Sequence, residues 1–446
     1  MEKYDLVVIG AGPAGFAAAM RALDFKKKTL LIEKNLIGGA GVTNGALSSK
    51  TWWELSREAA AFNTSLKRHN MQAPEIRYSE IQAEVTKAIQ MRKDLLEEQM
   101  THLINASEHL LEFRKGEAYL IDQHEIEITS GARKERVWAD NIILATGSRP
   151  RYLPELPIDE KIVMTSEGIE AMKDFPESMV IVGAGVIGCE YATIFSGFAK
   201  TKVHLIDKGD RILPFEDEDA VRIIERNMEN NGVLIHRNSR LVKMTIVSGR
   251  VEYELEYTDG THQIFNVEKA LVSVGRVPNL EDLWDDKVGI KVTKKGIEDH
   301  DTQTSISNIY AVGDLTADIS LVNVGELEGR YAAERIFGKP ERKLVYENIS
   351  TIMFLAPEVA GVGLNETQAK ERGIEYKVVT LEYSTIPRAI AKRNTQGFIK
   401  LLATNDNDMK ILGMRVVGNN ASSAIQAVAV LKIGRASCRE RVCVPV

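Results

Sequence analysis

One pattern occurs twice in this chain and leaves few folds open to it. An apolar strand runs into a glycine-rich turn and a helix of small residues, and about 20 residues on a second strand closes on an acid. The first copy is YDLVVIGAGPAGFAAAMRAL, with Gly10, Gly12 and Gly15 in GxGxxG spacing, followed by KTLLIEK with its acid at Glu33. The second is SMVIVGAGVIGCEYATIF, with Gly183, Gly185 and Gly188, followed by KVHLIDK with its acid at Asp207. The first glycine permits a tight turn, the second lets backbone approach a pyrophosphate, and the third lets helix close on strand. The helix N-terminus then faces the phosphate, and the acid accepts hydrogen bonds from ribose hydroxyls. A lone glycine turn also serves plain strand–helix packing, but two complete units imply two bound dinucleotides. At the second unit a carboxylate favours a free 2′-hydroxyl and repels a 2′-phosphate. No arginine follows Asp207 at once, only Lys208, Gly209 and Asp210. NAD is therefore expected there rather than NADP, with Lys208 left open as a phosphate contact.

At 446 residues the chain is too long for one ordinary core. Apolar content of 44% with 27% charged residues describes a globular chain. A net charge of −6 gives no cause to expect nucleic acid or an anionic membrane as partner. No apolar run reaches the roughly 18 residues that span a bilayer. The N-terminus enters a strand with no cleavable signal ahead of it, so the chain reads as cytoplasmic. Of three cysteines, Cys189 lies inside the second glycine unit and reads as buried packing. Cys438 and Cys443 fall in GRASCRERVCVPV, 434–446, where the helical pattern of SSAIQAVAVLK stops; this tail reads as non-native sequence, the other reading being a native disordered tail. No metal is expected.

Several further motifs follow in order: GG…SK within IGGAGVTNGALSSK (37–50), LATGSRP (144–150), SVGRVPN (273–279), IYAVGDL (309–315) and APEVAGVGLNETQAKERG. Together with GAGPAG and GAGVIGCEYA, they resemble the flavin-dependent pyridine nucleotide–disulfide oxidoreductases. The resemblance is greatest to the branch with dihydrolipoamide dehydrogenase and the soluble pyridine nucleotide transhydrogenase, and runs from about Tyr4 to Lys432. It implies an α/β chain with two Rossmann-like dinucleotide-binding domains, for FAD and NAD, plus an α+β dimerisation domain. The expected boundaries are 1–150 and 276–343 for FAD, 151–275 for NAD(P), 344–433 for an incomplete dimerisation domain, and 434–446 for the tail. By the same resemblance FAD is held by the first turn with Glu33, Gly147, Lys50 and Asp314. The nicotinamide nucleotide is held by the second turn with Asp207 and Gly275. Lys50 and Glu190 match the pair that the family sets beside flavin N5, and the full-length protein is implied to be a homodimer.

Two departures redirect the chemistry. Aligned on GG and SK, the family's two cysteines fall at Gly41 and Ala46, so no side chain here can take electrons by thiol–disulfide exchange. The family's C-terminal His–Glu pair is also missing, because all eight histidines fall at or before His300. The expectation is an FAD-dependent NAD(P)H oxidoreductase that passes electrons from NADH to a small non-disulfide acceptor. A quinone, a dye-like molecule, oxygen or a second nicotinamide nucleotide would serve. A soluble transhydrogenase is one alternative, though it must seat a 2′-phosphate beside Asp207. A nucleotide-binding sensor or structural subunit without catalysis is another. A fixed cation at Lys50 would stabilise the negative charge that flavin gains with hydride, and a glutamate would orient it; the bland reading of Lys50 is a solvated surface lysine.

Between the motifs, helices are expected over Lys50–Leu66 and Glu80–Phe113 from apolar spacing. A β-meander is expected over Arg240–Val267, and alternating short strands and helices from Val345 onward. Trp52 and Trp53 read as core rather than as an acceptor platform.

Overall fold

The computed structural model describes residues 1–433 apart from Asn44, Ala73, Ala317, Asp318, Glu341 and Arg342. The tail 434–446, with Cys438 and Cys443, lies outside the described residues. Two compact units are present. One comprises Met1–Thr51, Gln82–Arg151 and Arg276–Tyr346; the other comprises Trp52–Ile81, Tyr152–Gly275 and the described residues from Glu347 onward.

The first unit is built on a sheet whose strand order is Leu111–Lys115, Thr29–Glu33, Glu2–Ile9, Arg133–Leu144, Glu125–Ser130 and Glu117–Leu120. The long strand Arg133–Leu144 pairs with Glu2–Ile9 along one edge and divides its other edge between two partners. Its first half pairs antiparallel with Glu125–Ser130, and its end runs parallel to Ile309–Ala311. Leu6, Val7, Val8, Leu30 and Leu31 are fully buried, as a parallel strand covered on both faces requires. The helix Pro13–Asp24 packs on Val322–Phe337 through small residues: a β-carbon at Gly329 would lie 2.1 Å from the Ala14 carbonyl oxygen. Successive neighbours of Glu2–Ile9 lie on its opposite sides, which opens a crevice beyond Ile9 and Leu144, where ligands bind in sheets of this kind.

The helical reading of Glu80–Phe113 needs correction. The helix runs Tyr78–Ala106, and Leu111–Lys115 is a strand beside Thr29–Glu33. Apolar spacing continues through LLEF, but Glu108 and His109 take positive φ and the Ser107 hydroxyl oxygen accepts the Leu111 amide. Pairing along the open edge of Thr29–Glu33 outweighs local helical preference. The other expected helix extends over Ala46–Arg68.

The second unit carries a parallel sheet in the order Leu234–His236, Lys202–Ile206, Ser178–Val182, Lys269–Val272 and Val163–Met164. A meander follows, formed by Ser239–Val247, Arg250–Tyr257 and His262–Val267. Its remaining sheet is antiparallel and ordered Thr351–Met353, Val359–Gly363, Ile411–Val417, Phe398–Thr404 and Tyr376–Glu382. A buried charge cluster ties that sheet to the helix Glu218–Asn230. Lys400, 1% exposed, lies 2.5 Å from Asp219, 2.8 Å from Glu366 and 3.1 Å from Asp217, while Arg415 meets Glu216 at 3.0 Å. Burial alone would raise the Asp217 pKa; Lys400 and the Thr367 and Glu366 amides outweigh it and hold the carboxyl low.

A second buried polar group lies under the meander. His204 Nδ1 is 2.7 Å from Tyr253 Oη and 3.3 Å from His236 Nε2, and His236 Nδ1 is 2.7 Å from Tyr257 Oη. Phe265 packs edge-on against both imidazoles. Burial pushes both histidines down to about 4, with the neighbouring His236 adding to the effect at His204. Between about 4 and the ordinary value near 6.5, the unfolded chain binds more protons than the folded one. Stability from this pair is thus complete above about 6.5 and is lost as pH falls towards 4, a window above the range in which most carboxylates titrate. Urea midpoints should fall steadily from pH 7 to pH 4.5, and the double variant His204→Phe/His236→Phe should flatten that slope. An unchanged slope would show that the pair does not set it.

Candidate functional site

The two glycine turns are built alike. Gly10 (φ +103°) donates its amide to Ile32 O at 2.8 Å, and Gly183 (φ +102°) donates to Ile206 O at 3.0 Å. A β-carbon at Gly15 would fall 1.9 Å from Gly10 O, and one at Gly188 would fall 1.9 Å from Gly183 O. No other residue lets these helices approach so closely. Gly12 and Gly185 stand at the N-caps of Pro13–Asp24 and Val186–Gly197, with no side-chain cap on either helix. A β-carbon at Gly12 or Gly185 would meet nothing within 4 Å, so each helix start faces open space.

The acids complete each turn. Glu33 Oε2 accepts the Ala11 amide at 2.7 Å and Oε1 the Asn35 amide at 2.8 Å. Asp207 Oδ2 accepts the Ala184 amide at 2.8 Å and Oδ1 the Gly209 amide at 2.9 Å. Each carboxylate oxygen keeps acceptor capacity for a ribose hydroxyl. Open helix starts beside anchored acids fit one dinucleotide at each turn.

In the first unit, LATGSRP and GRVPN form one clip. Strands Ser148–Pro150 and Arg276–Pro278 pair antiparallel, and Asn279 exchanges hydrogen bonds with Thr146 and Gly147. The Ser148 hydroxyl donates to Asp314 Oδ2 at 2.7 Å, and Arg276 Nε donates to Ser148 Oγ at 2.8 Å. Glu328, 1% exposed, accepts the Gly313 amide at 2.5 Å and the Tyr346 hydroxyl at 2.8 Å, which fixes the turn carrying Asp314. Sequence reasoning did not single out Ser148, Arg276 or Glu328. The first two lay inside quoted motifs; Glu328 sits in an ordinary helical pattern, and only its burial marks it. Gly147 (φ +68°) belongs to this clip, while Gly275 (φ +101°) closes the second unit's segment just before it.

Lys50 is the fifth residue of Ala46–Arg68, with Nζ 3.5 Å from Ser49 Oγ. Glu190 is 5% exposed on Val186–Gly197, and its Oε1 accepts the Phe354 amide at 3.0 Å. Lys50 belongs to the first unit and Glu190 to the second. Gly41 lies in the short helix Gly39–Val42, where a β-carbon would fall 2.7 Å from Pro13 Cγ. Cys189 is fully buried, its Sγ 3.4 Å from Ala184 O, and burial pushes the thiol well above its ordinary range. It offers no thiolate. Trp52 and Trp53 are buried, at 1% and 3% exposure. Among the described residues, no helix is long and apolar enough to cross a membrane.

Two glycine turns with anchored acids define a protein that binds two dinucleotides. Comparison with known proteins narrows the class: the pyridine nucleotide-disulphide oxidoreductase pattern matches residues 4–329, and the dimerisation domain of that family matches 349–441. The dihydrolipoyl dehydrogenase of Bacillus subtilis is 30% identical over 436 residues, covering 96% of this chain and 89% of that protein. The dihydrolipoyl dehydrogenase of Geobacillus stearothermophilus is 31% identical over 434 residues, 95% and 88% of the two chains. Among solved structures, LpdA from Mycobacterium tuberculosis superposes with TM-score 0.88 at 25% identity, over 98% of this chain and 94% of that one. The flavoprotein disulfide reductase RclA from Escherichia coli gives TM-score 0.83 at 23% identity, over 97% and 94%, a likeness of fold. The chain belongs to the pyridine nucleotide-disulphide oxidoreductase family. It is a flavin-dependent oxidoreductase that uses FAD and NAD(H).

The two turns make separable predictions. Gly15→Ala should drive the first helix from its strand and yield protein that retains little FAD after purification, read from the ratio of flavin to protein absorbance. Gly188→Ala should stay yellow but bind NADH at least about tenfold more weakly, a loss of about 1.4 kcal/mol or more.

Proposed function

We propose that this protein oxidises NADH and passes the electrons to a small non-disulfide acceptor, a quinone or a dye-like molecule. The observation that carries this reading is the pair Gly41 and Ala46 in the GG…SK loop, with Cys189 buried and protonated elsewhere. The relatives named dihydrolipoyl dehydrogenase support the flavin and the nicotinamide nucleotide; the loop argues against their dithiol step. The reaction balances as NADH, a proton and an oxidised acceptor giving NAD and a two-electron-reduced acceptor.

Bound FAD supplies the two-electron chemistry. In this reading the turn at Gly10, Gly12 and Gly15, with Glu33, holds its pyrophosphate and ribose, and Asp314, set by Ser148 and Glu328, holds the region nearer the ring. The turn at Gly183, Gly185 and Gly188, with Asp207, holds NADH. Lys50 is the cation assigned to stabilise negative charge, and Glu190 the second charged group assigned to the reaction. The absence of a thiol relay leaves room for an acceptor to meet the flavin directly. The working form is proposed to be a homodimer, in keeping with the match to the dimerisation domain.

Both Asp207 oxygens accept backbone amides, so the carboxylate is held in place and cannot swing away from a 2′-phosphate. Stopped-flow flavin reduction should favour NADH over NADPH by at least about tenfold, and Asp207→Ala should narrow the gap. Equal rates in the unmutated protein would favour a transhydrogenase instead.

The acceptor is tested by activity and by colour. Quinone or dye reduction should be measurable, with neither lipoamide nor glutathione disulfide reduced. Dithionite titration should bleach the flavin without the long-wavelength band that a thiolate beside flavin produces. A stable thiolate band, or flavin reduction by dihydrolipoamide at an enzymatic rate, would overturn the proposal.

A further inference from the structure

Trp53 packs as core by its burial, yet it makes two directed contacts that plain core packing does not require. Its indole Nε1 donates to Leu355 O at 3.2 Å, in a buried setting. Its ring meets Phe354 edge-on, with centroids 5.2 Å apart and planes at 78°. It thus grips both residues of the Phe354–Leu355 step, and Phe354 is the residue whose amide donates to Glu190 Oε1 at 3.0 Å. Arg57, one turn further along the same helix, lies over the indole with its guanidinium carbon 5.1 Å from the ring centroid. Leu355 is 1% exposed and Trp53 3%, so neither the indole nor the carbonyl exchanges its partner for water.

We infer that Trp53 is a positioning residue for Glu190, acting through the Phe354 amide. This rests on the reading that Glu190 serves the reaction at the flavin. An amide bond to a carboxylate is charge-assisted and directional, so the orientation of the Phe354 peptide sets where the Glu190 charge points. That peptide follows the short strand Thr351–Met353. The ring contact holds the Phe354 side chain and the hydrogen bond holds the Leu355 carbonyl just beyond it, so together they restrict the backbone that carries the Phe354 amide. Trp53 also stands three residues after Lys50 on Ala46–Arg68, the spacing that places two side chains on one helical face.

The test is a double-variant cycle on the FAD-loaded protein, with Trp53→Phe, Glu190→Gln and both together. Flavin content, thermal midpoint, the stopped-flow rate of flavin reduction by NADH and its pH profile would be followed. Trp53→Phe keeps an aromatic ring beside Phe354 while removing the indole N–H together with part of the bicycle. It should retain flavin, slow reduction on the order of tenfold and shift the pH profile in the direction that Glu190→Gln shifts it. The double variant should be no slower than Glu190→Gln alone, because the two act on one group. If Trp53→Phe does not yield folded protein, Phe354→Leu removes the ring contact while keeping the amide, and should give the same non-additive slowing. Independent, multiplying losses, or a normal rate and profile in Trp53→Phe beside a slow Glu190→Gln, would overturn the inference alone. A Glu190→Gln protein as fast as the parent would remove the reading of Glu190, and the inference with it.

Discussion

Each nucleotide turn depends on one contact: a carboxylate from the end of the second strand accepting an amide of the glycine loop. Glu33 to Ala11 and Asp207 to Ala184 are the same bond made twice. A glycine loop has little rotational restraint of its own, and Gly10 and Gly183 take backbone angles that other residues rarely adopt. The charge-assisted bond ties that loop to a rigid strand, so the helix N-terminus beyond it is already aimed before a phosphate arrives. The acid therefore orders the loop and offers lone pairs to a ribose.

That frame meets the redox loop through backbone: the Gly38 amide donates to Ala11 O at 2.9 Å. The glycine turns, the Asp314 clip and the buried Glu190 rely on backbone amides, hydroxyls and carboxylates, none of which involves a thiol. Gly41 sits against the Pro13 ring, in space that a larger side chain would contest. The bonds that hold the frame need no cysteine at position 41 or 46, so glycine and alanine there leave them intact.

The second unit spends much of its interior on polar groups. Lys400 with Asp217, Asp219 and Glu366, Arg415 with Glu216, and the two histidines with two tyrosines are all closely partnered. Such groups add little net stability over apolar packing, but removing one partner of a buried charge pair costs about 3–5 kcal/mol. They specify how the elements of this unit register rather than how strongly they collapse. His204 lies on Lys202–Ile206, the strand that leads into Asp207, so breaking its bond to Tyr253 would be felt there.

The amino-acid sequence by itself determined the two strand–turn–helix units, their acids and the loss of the cysteine pair. These are local: glycine spacing, β-branched runs and a residue about 20 positions on all lie within one stretch of chain. The meander over Ser239–Val267 was equally legible, from alternation alone. Tertiary structure decided the rest. Leu111–Lys115 became a strand because an open sheet edge lay beside it, a circumstance that no helical periodicity encodes. Glu328 became a support for Asp314, and Trp53 a support for Phe354, because folding brought residues distant in sequence within hydrogen-bonding or ring contact. A buried carboxylate or indole reads like any surface glutamate or core aromatic until its partner is known, since desolvation and bond direction are properties of the packed interior and not of the residue.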